Sequence, residues 1–352
     1  MRALAWHGRG DLRLEDLQAP VPTAGQALLE VARCGLCGTD LAEFLRGPVL
    51  IGSARHPLTG YQAPPAVLGH ELSGRVIALG PDTDGPPAGT RVTANPAWSC
   101  GLCFWCARGD RHLCRVGGGV GLASPGALAE QVLVPVDGLV VLPDNVDDEA
   151  GALVEPFAVA LHALRRACLE PGETVLVQGF GALGALVTRV ALSLGAGAVH
   201  VSEPLAGRRS RAVELGAAAS WDPGACDPGR EVRALTHGVG ADVVVDTSGV
   251  SALVPAAVAA TRRGGRTVLL GVGHGGAEIE VARLVLGERA LIGSFAYRDE
   301  LTDVVSMLAQ GQLATDGLVT SVLPLARVAA DGFQALATDP GSHLKVMADP
   351  RV

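Results

Sequence analysis

Long apolar runs and an apolar N-terminal leader are both missing from this sequence of 352 residues. Arg189 interrupts the apolar stretch that follows Gly184, and Thr261 with Arg262 ends the one that follows Val250. No run is therefore long enough to cross a bilayer. The first residues carry charges in place of the apolar segment of a secretory signal. These absences predict a soluble, cytoplasmic protein with no membrane partner.

Lysine is almost absent, and so are blocks of one charge. Lys345 is the single lysine, so the rest of the Lys and Arg total is arginine. We attribute this bias to genome composition and expect it to carry no mechanistic meaning. The 36 acidic and 28 basic residues give a formal net charge of −8 without forming a block of either sign. Nucleic acid and anionic membranes are therefore not expected as partners.

Two textures divide the chain, whose length favours two domains of ordinary size. The first 150 residues contain short apolar runs between Gly and Pro turns, including QALLEVARCG and TRVTANP, which predicts a β-rich, barrel-like domain. From Gly172, runs such as TVLVQ, AVHVSE and DVVVD alternate with helical segments, which predicts a doubly wound parallel sheet of the α/β class. Beyond Gly293 we expect one helix, roughly Glu300 to Ala309, and short strands.

Four of the eight cysteines are clustered in CGLCFWCARGDRHLC. Paired disulfides would be crowded there, and a chain without an export signal is expected to keep its thiols reduced. Tetrahedral zinc accepts four thiolates from short C-x2-C arches, and reduced thiols without metal are the alternative. A closed shell of four thiolates has no open position, so we expect this zinc to be structural. Its ligands would be Cys100, Cys103, Cys106 and Cys114.

A glycine pattern, G-x-G-x-x-G, follows the first strand of the alternating region and opens a helix. The glycines would supply a tight turn, space for a pyrophosphate and close helix packing, with the phosphates at the positive helix end. In a protein with 47 glycines the pattern alone is weak, and a plain glycine turn is the alternative. The predicted cofactor-binding residues of this loop are Gly179, Gly181, Ala182, Leu183 and Gly184.

An acidic residue at the end of the next strand strengthens the interpretation of this glycine pattern as a dinucleotide-binding loop. Glu203 lies 24 residues after Gly179, where a carboxylate accepts hydrogen bonds from ribose hydroxyls and repels a 2′-phosphate. Arg208 and Arg209 could instead bind that phosphate. We predict NAD as the cofactor, with NADP less favoured.

A second possible metal set is dispersed along the β-rich region. Cys37 lies in CGLCGTD, His70 and Glu71 in LGHE, and Glu155 in LVEPF. One thiolate, one imidazole and one or two carboxylates suit a zinc ion that keeps a position open for substrate. From spacing alone, a structural His-Glu pair and a buried apolar thiol are the commoner uses of such residues.

Together these motifs resemble the zinc-dependent medium-chain alcohol and polyol dehydrogenases over nearly the whole chain. The segment GPVLIGSARHPLTGYQAPPAVLGHELSGRV is most similar to the butanediol and sorbitol dehydrogenase branch. The resemblance implies a GroES-like catalytic domain over 1–155 and 294–352, with the structural zinc lobe at about 95–115 and a Rossmann domain over 156–293. It also implies a homodimer or homotetramer, formed through the exposed edge around Arg289 to Phe295.

The resemblance further implies a catalytic zinc held by Cys37 and His70 together with Glu71 or Glu155. Because neighbouring strand residues face opposite ways, His70 and Glu71 are awkward as simultaneous ligands, and one carboxylate would bind directly. Thr39 resembles the hydroxyl that accepts the substrate proton, although a turn or cap residue is the alternative.

The implied reaction is hydride transfer between NAD and a secondary alcohol such as a vicinal diol, acyloin or polyol. Threonine dehydrogenase-like oxidation and a catalytically silent cofactor-binding scaffold are the alternatives. Asp40 would support a zinc ligand or cap a helix. Ala42 replaces a histidine that relatives use to release the proton, so we expect the rate to depend on external buffer. His56 is a weak candidate for that outlet.

Overall fold

The structure, a computed structural model, describes residues 1–52, 54–273 and 275–352. The chain divides into two compact units. The first contains Met1–Glu155, Leu301–Gly311 and Val319–Val352, and the second contains Pro156–Glu300 and Gln312–Leu318. The domain division at 155/156 and 293/294 stays a prediction.

Short strands dominate the N-terminal part of the first unit, as the Gly and Pro punctuation predicts. QALLEVARCG forms one continuous strand in which seven of the ten positions are buried, so that both faces are largely covered. The strands are β1 (Arg2–Gly8), β2 (Asp11–Asp16), β3 (Gln26–Gly35), β4 (Ala66–Val67), β5 (Glu71–Leu79), β6 (Arg91–Ala94), β7 (Ala97–Trp98), β8 (Gly118–Gly119), β9 (Gln131–Pro135) and β10 (Leu139–Val141). The helices are α1 (Gly38–Arg46) and α2 (Phe104–Ala107).

The second unit is built on a six-stranded parallel sheet in the order β13-β12-β11-β14-β15-β16. Its strands are β11 (Thr174–Gln178), β12 (Ala198–Ser202), β13 (Ala219–Trp221), β14 (Ala241–Asp246), β15 (Thr261–Leu269) and β16 (Ala290–Gly293). The helices are α3 (Asp148–Arg166), which begins in the first unit, α4 (Ala182–Ser193), α5 (Ala206–Glu214), α6 (Pro228–Leu235), α7 (Val254–Ala260) and α8 (Val281–Val285). The α/β prediction is confirmed.

The C-terminal part returns to the sheet of the first unit. Its elements are α9 (Glu300–Ala309), β17 (Val319–Pro324), α10 (Ala335–Thr338) and β18 (Lys345–Asp349). The main sheet runs β10-β6-β5-β3-β18-β17, with β9 also paired to β3, and two smaller sheets are β2-β1-β4 and β7-β8. Strand β18 therefore lies beside β3, and β3 lies beside β5, although the sequence separates β18 widely from both.

Several predicted elements are confirmed, and the structure adds others. Strands β3 and β11 and helix α9 lie where the sequence predicts them. Strand β13 and helix α6 are among the elements that the sequence does not predict. Strand β13 has only three residues, and so short a strand carries no periodic signal. Among the described residues, no helix combines the length and the apolar character needed to cross a membrane.

Candidate active site

Cys37 lies at the junction between β3 and α1 as the N-terminal cap of that helix. The Asp40 carboxylate reaches back to accept the Cys37 amide at 3.0 Å, and its other oxygen accepts the Gly69 amide at 3.2 Å. Asp40 is fully buried and therefore fixes the Cys37 loop against the segment that leads to His70. Thr39 is half-buried in the first turn of α1. The position of Asp40 is thus compatible with both proposed roles, supporting a zinc ligand and capping a helix.

The structure brings His70 next to Cys37 and Asp40. The His70 Nδ1 atom lies 3.7 Å from Asp40 Oδ1, and among the described residues this buried nitrogen has no hydrogen-bond partner. Burial would lower the pKa of His70, but the charges of Asp40 and Cys37, a hydrogen bond with Cys37 and the charge of Glu155 raise it well above its ordinary value. The imidazole therefore lies in a strongly negative setting that suits a cation.

Glu71 points into a different environment from its neighbour His70. It is the first residue of β5, opposite Gly35 of β3, and is 2% exposed. Both carboxylate oxygens accept from the Lys345 ammonium, at 2.8 and 2.5 Å. Sequence reasoning missed this partner, although a lone lysine that opens an apolar strand is a signal that could have identified it.

Glu155 lies within α3, followed by Pro156 in the same helix. Its side chain is buried, and its charge raises the pKa of both His70 and Lys345. Cys37, His70, Glu71 and Glu155 therefore lie in one unit of the protein, although three separate segments supply them.

The four-cysteine lobe has the geometry of a tetrahedral metal site. Its sulfur atoms all lie within 4.8 Å of one another, and four sulfur-to-sulfur distances are 3.5, 3.5, 3.9 and 3.9 Å. A tetrahedron with zinc-sulfur bonds of about 2.3 Å has edges of about 3.8 Å, whereas a disulfide needs sulfur atoms about 2 Å apart. Over the described ranges, this is the single group of three or more His, Cys, Asp or Glu residues that meets the 4.8 Å limit.

Backbone amides prepare some of these sulfurs for metal binding. The hydrogen bond from the Cys106 amide, with further hydrogen bonds, lowers the pKa of Cys103 to about 6, while burial raises the pKa of Cys106 to about 11. Since thiolates are the ligating form, the lowered pKa of Cys103 favours metal binding.

The glycine loop of the second unit shows three distinct uses of glycine. Gly179 has a φ of +90°, which favours a residue without a side chain. A Cβ atom on Gly184 would lie 2.2 Å from the Gly179 carbonyl oxygen, so α4 packs directly on the loop. A Cβ on Gly181 would meet only the tip of Arg208, at 3.7 Å, and Ala182 and Leu183 then begin α4.

Glu203 holds the glycine loop and the following turn together. Its carboxylate accepts the Phe180 amide at 2.7 Å and the Leu205 amide at 2.9 Å, and the side chain is 3% exposed. The Arg208 Nε atom is buried without a hydrogen-bond partner among the described residues, while Arg209 donates to the carbonyl oxygen of Glu203 at 3.0 Å. The loop, the acid and one unsatisfied guanidinium therefore meet at the N-terminus of α4.

Two family models match the chain. The alcohol dehydrogenase GroES-like domain matches residues 23–144, and the zinc-binding dehydrogenase domain matches residues 182–310. The chain is 35% identical to (R,R)-butanediol dehydrogenase of Bacillus subtilis, over 99% of this chain and 100% of that protein. It is 30% identical to the sorbitol dehydrogenase of the same organism, over 99% and 97% of the two chains.

Solved structures give the same result. The crystal structure of 2R,3R-butanediol dehydrogenase from Bacillus subtilis superposes with a TM-score of 0.92, at 35% identity and with 99% of each chain covered. A zinc-binding dehydrogenase from Sinorhizobium meliloti, bound to NADP, superposes with a TM-score of 0.87, at 30% identity and with 99% of each chain covered.

Proposed function

We propose, since the chain belongs to the zinc-dependent medium-chain alcohol dehydrogenase family, that it transfers hydride between a secondary alcohol and NAD. The relatives make it an oxidoreductase of the alcohol and polyol class. The single observation that carries the proposal is the buried His70 imidazole, whose Nδ1 lies 3.7 Å from Asp40 Oδ1 and has no hydrogen-bond partner among the described residues, within the negative field of Asp40, Cys37 and Glu155. Thiolate, imidazole and carboxylate together form a donor set that fits a zinc ion.

We assign Cys37, His70 and one carboxylate, from Glu71 or Glu155, as ligands of a catalytic zinc. The unpartnered His70 Nδ1 and the excess of negative groups around the ring support this fit. When bound, such a zinc lowers the pKa of a substrate hydroxyl and polarises its oxygen. The described donor atoms do not form a group within 4.8 Å, so metal binding would draw them closer.

The remaining polar groups of the site are proposed to position the zinc ligands and to accept the substrate proton. Asp40 fixes the Cys37 loop, and its Oδ1 lies 3.7 Å from Nδ1 of His70. Thr39, in the first turn of α1, is proposed to accept the substrate proton. Ala42 in the same helix has no titratable group. We therefore expect imidazole buffer to accelerate turnover where proton transfer limits the rate, and a rate indifferent to imidazole would contradict this proton route.

The second zinc is assigned to the four-cysteine lobe, because the sulfur spacing fits a closed tetrahedral shell. It would stabilise the loop between β7 and β8 without taking part in the reaction. The protein would thus bind two zinc ions per chain.

NAD is assigned to the glycine loop of the second unit. Gly181 leaves open space at the N-terminus of α4 for a pyrophosphate, and Glu203 supplies a buried negative charge beside it. Arg208, with its unsatisfied Nε, is the group that would favour a phosphate there, and one structural neighbour binds NADP. We expect repulsion of a 2′-phosphate by Glu203 to outweigh its attraction to Arg208. The kcat/KM for NAD should therefore exceed that for NADP by about tenfold or more, the effect of one desolvated charge contact.

The exposed edge of the parallel sheet supports a homo-oligomer. Strand β16 lies at the end of the sheet order and pairs with β15. Large apolar side chains nearby are more than half exposed, namely Val281, Val285, Leu286 and Phe295. We propose that a second copy of the chain covers this edge, in a homodimer or homotetramer.

A substrate panel with metal analysis tests the proposal. The purified protein would be given butane-2,3-diol, acetoin, sorbitol and threonine, with NAD or NADP, before and after treatment with a zinc chelator. We expect NADH formation from a diol or polyol and loss of turnover with the chelator. Faster oxidation of threonine would favour the amino-alcohol alternative. A protein with two bound zinc ions and no turnover on any alcohol would favour the silent scaffold.

A further inference from the structure

Four arginines of the second unit are clustered at the amino ends of two sheet strands. Arg263 lies near the start of β15, Arg289 directly precedes β16, Arg233 lies in α6 and Arg283 lies in α8. All strands of this sheet are parallel, so the glycine loop follows a carboxyl end, at the opposite edge. A strand of five residues separates the two edges by about 16 Å. The arginines therefore lie outside the site assigned to the cofactor.

Two of these side chains bind the same helix end. Arg233 donates to the Ala259 carbonyl oxygen at 3.0 Å, and Arg289 donates to the Thr261 carbonyl oxygen at 2.8 Å. Ala259 is in the last turn of α7, and Thr261 follows the helix directly. The carbonyl end of a helix attracts cations with about half an elementary charge. That partial charge is smaller than the two positive charges that it receives, so these contacts do not neutralise the cluster.

The loop before β16 is shaped around the Arg289 guanidinium. A Cβ atom on Gly287 would overlap Nη1 of Arg289, and this Nη1 donates to the Arg283 carbonyl oxygen at 2.9 Å. The Gly264 amide donates to the Gly287 carbonyl oxygen at 2.7 Å, which places Arg263 beside the same loop. The backbone thus holds the arginines of three different elements next to one another.

Three of the four guanidiniums lack an acidic partner. In the part of the chain that the structure describes, no carboxylate lies within 4.0 Å of Arg233, Arg263 or Arg289, whereas Arg283 pairs with Glu280 at 3.4 Å. Burial, followed by the charges of Arg283, Arg263 and Arg233, lowers the pKa of Arg289. The four positive charges are therefore close enough to repel one another.

Other arginines of the same strand are paired. Arg262 pairs with Asp242, and Arg266 pairs with Glu173. Arg263, between them in β15, is exposed, and its side chain forms no hydrogen bond or ion pair with the described residues. Acidic partners are not scarce in a protein with a formal net charge of −8. A cluster of uncompensated cations in such a protein indicates a site for an anion from solution.

We infer that Arg233, Arg263 and Arg289 form a binding site for a small anion that carries phosphate groups. The site is additional to the proposed hydride transfer and does not depend on it. Guanidinium groups donate paired N–H contacts to phosphate and keep their charge at every working pH. A phosphate presents oxygens in several directions, so arginines from different elements can each reach one. A carboxylate offers two oxygens in one plane, which suits a single guanidinium better than three.

Calorimetric titration of the full-length protein with inorganic pyrophosphate tests this site. Saturating NADH is present throughout, so that the cofactor occupies the glycine loop. We expect pyrophosphate to bind under these conditions, and Arg263→Gln to weaken the binding by ~10–100-fold, the loss of one charge-assisted contact. Because Arg263 is exposed and its side chain is unpaired within the described chain, this variant should fold normally.

Arg230→Gln is the matched control. Arg230 is exposed on α6, one turn before Arg233, and its charge is not among those that lower the pKa of Arg289. This variant removes the same net charge as Arg263→Gln but from outside the cluster. It should bind pyrophosphate as tightly as the unchanged protein does.

Thermal unfolding gives an independent measurement. Pyrophosphate should raise the melting temperature of the unchanged protein and of Arg230→Gln, because a ligand of the folded state stabilises it. The effect should be much smaller in Arg263→Gln. Without pyrophosphate, Arg263→Gln should melt no lower than the unchanged protein, since it removes a repelling charge and no contact. A purely structural role for Arg263 predicts a lower melting temperature instead.

The inference is overturned if pyrophosphate does not bind in the presence of NADH, or binds equally well to Arg263→Gln. An equal loss in Arg230→Gln would reduce the binding to general charge attraction and would also overturn it. Citrate that binds as tightly as pyrophosphate would overturn the choice of phosphate as the ligand class. The proposed function fails on a different result, the absence of turnover with every alcohol of the substrate panel.

Discussion

The glycines of the glycine loop differ in how much space a side chain would have, and the sequence pattern alone does not reveal this difference. Gly181 and Gly184 both fit the G-x-G-x-x-G spacing. A side chain at Gly184 meets a backbone oxygen at 2.2 Å, whereas a side chain at Gly181 meets only a flexible guanidinium at 3.7 Å. Gly184 is therefore required for close packing of the helix on the loop, whereas Gly181 leaves space that a ligand could occupy.

The first prediction compares these two positions. Gly184→Ala should cost about 1–3 kcal/mol of folding stability, because a backbone carbonyl in a packed turn cannot move aside cheaply. Gly181→Ala should leave the melting temperature nearly unchanged and weaken NADH binding, because the methyl group enters the space assigned to the pyrophosphate. Thermal unfolding and NADH fluorescence titration measure the two effects. The reverse pattern would contradict the assignment of the loop.

The second prediction concerns a buried carboxylate of the second unit. Glu300 is 4% exposed and accepts from His162 Nδ1 at 2.9 Å and from the Arg298 amide at 2.7 Å. Burial alone would raise the pKa of Glu300, but these hydrogen bonds and the His162 charge lower it from 4.5 to about 2. A depressed pKa stabilises the fold above the unfolded value of 4.5, and the stabilisation is lost as the pH falls towards about 2.

At neutral pH this shift corresponds to about 3 kcal/mol. Glu300→Gln should therefore lower the melting temperature at pH 7, and the gap from the unchanged protein should narrow between pH 4.5 and pH 2. Scanning calorimetry at several pH values measures the gap. Glu130→Gln is the control, since the Arg2 and Glu130 pair is about a third exposed and should contribute little. A gap that is independent of pH would refute the role given to Glu300.

At the scale of elements, local sequence predicts strands and helices but not their partners. The runs QALLEVARCG and TVLVQ become β3 and β11 because apolar residues fill both faces of each strand. Nothing in these runs indicates that β18 pairs with β3. Lys345 and Glu71 are 274 residues apart in the sequence, so their ion pair depends on that pairing. The Cys37 and His70 pair with Glu71 or Glu155 could be proposed by resemblance, whereas the partner of Glu71 required the assembled sheet.

The third prediction concerns the loop between β7 and β8, where the four cysteines lie within fifteen residues. Cys103→Ser should reduce the bound zinc from two ions to one per chain, because three thiolates no longer close the tetrahedron. We expect lower thermal stability, with the remaining zinc at the catalytic site. Elemental analysis of the dialysed protein measures the count.

Cys168→Ser is the matched control, because Cys168 is exposed and lies outside the lobe. That variant should retain both zinc ions. Two tightly bound ions in Cys103→Ser would show that the lobe does not hold zinc through this cysteine.

At the scale of the whole molecule, the edge of the parallel sheet is the surface on which the proposed homo-oligomer rests. An unpaired strand edge flanked by apolar side chains invites pairing with another chain, and symmetric pairing with an identical copy closes that edge. Leu286 is 74% exposed and Val285 is 66% exposed, and both lie close in sequence to β16. In the proposed homo-oligomer, a net charge of −8 would keep separate assemblies apart while the second copy covers this patch.

The fourth prediction is that Val285→Glu produces a smaller species than the unchanged protein in light scattering coupled to size-exclusion chromatography. A buried carboxylate at the centre of an apolar contact is costly, so the interface should open. Val213→Glu is the control, because Val213 is 54% exposed on α5, away from β16 in the sheet order. It should leave the molecular mass unchanged. If Val285→Glu kept the molecular mass of the unchanged protein, the chains would associate through another surface, and the proposed interface at the β16 edge would be wrong.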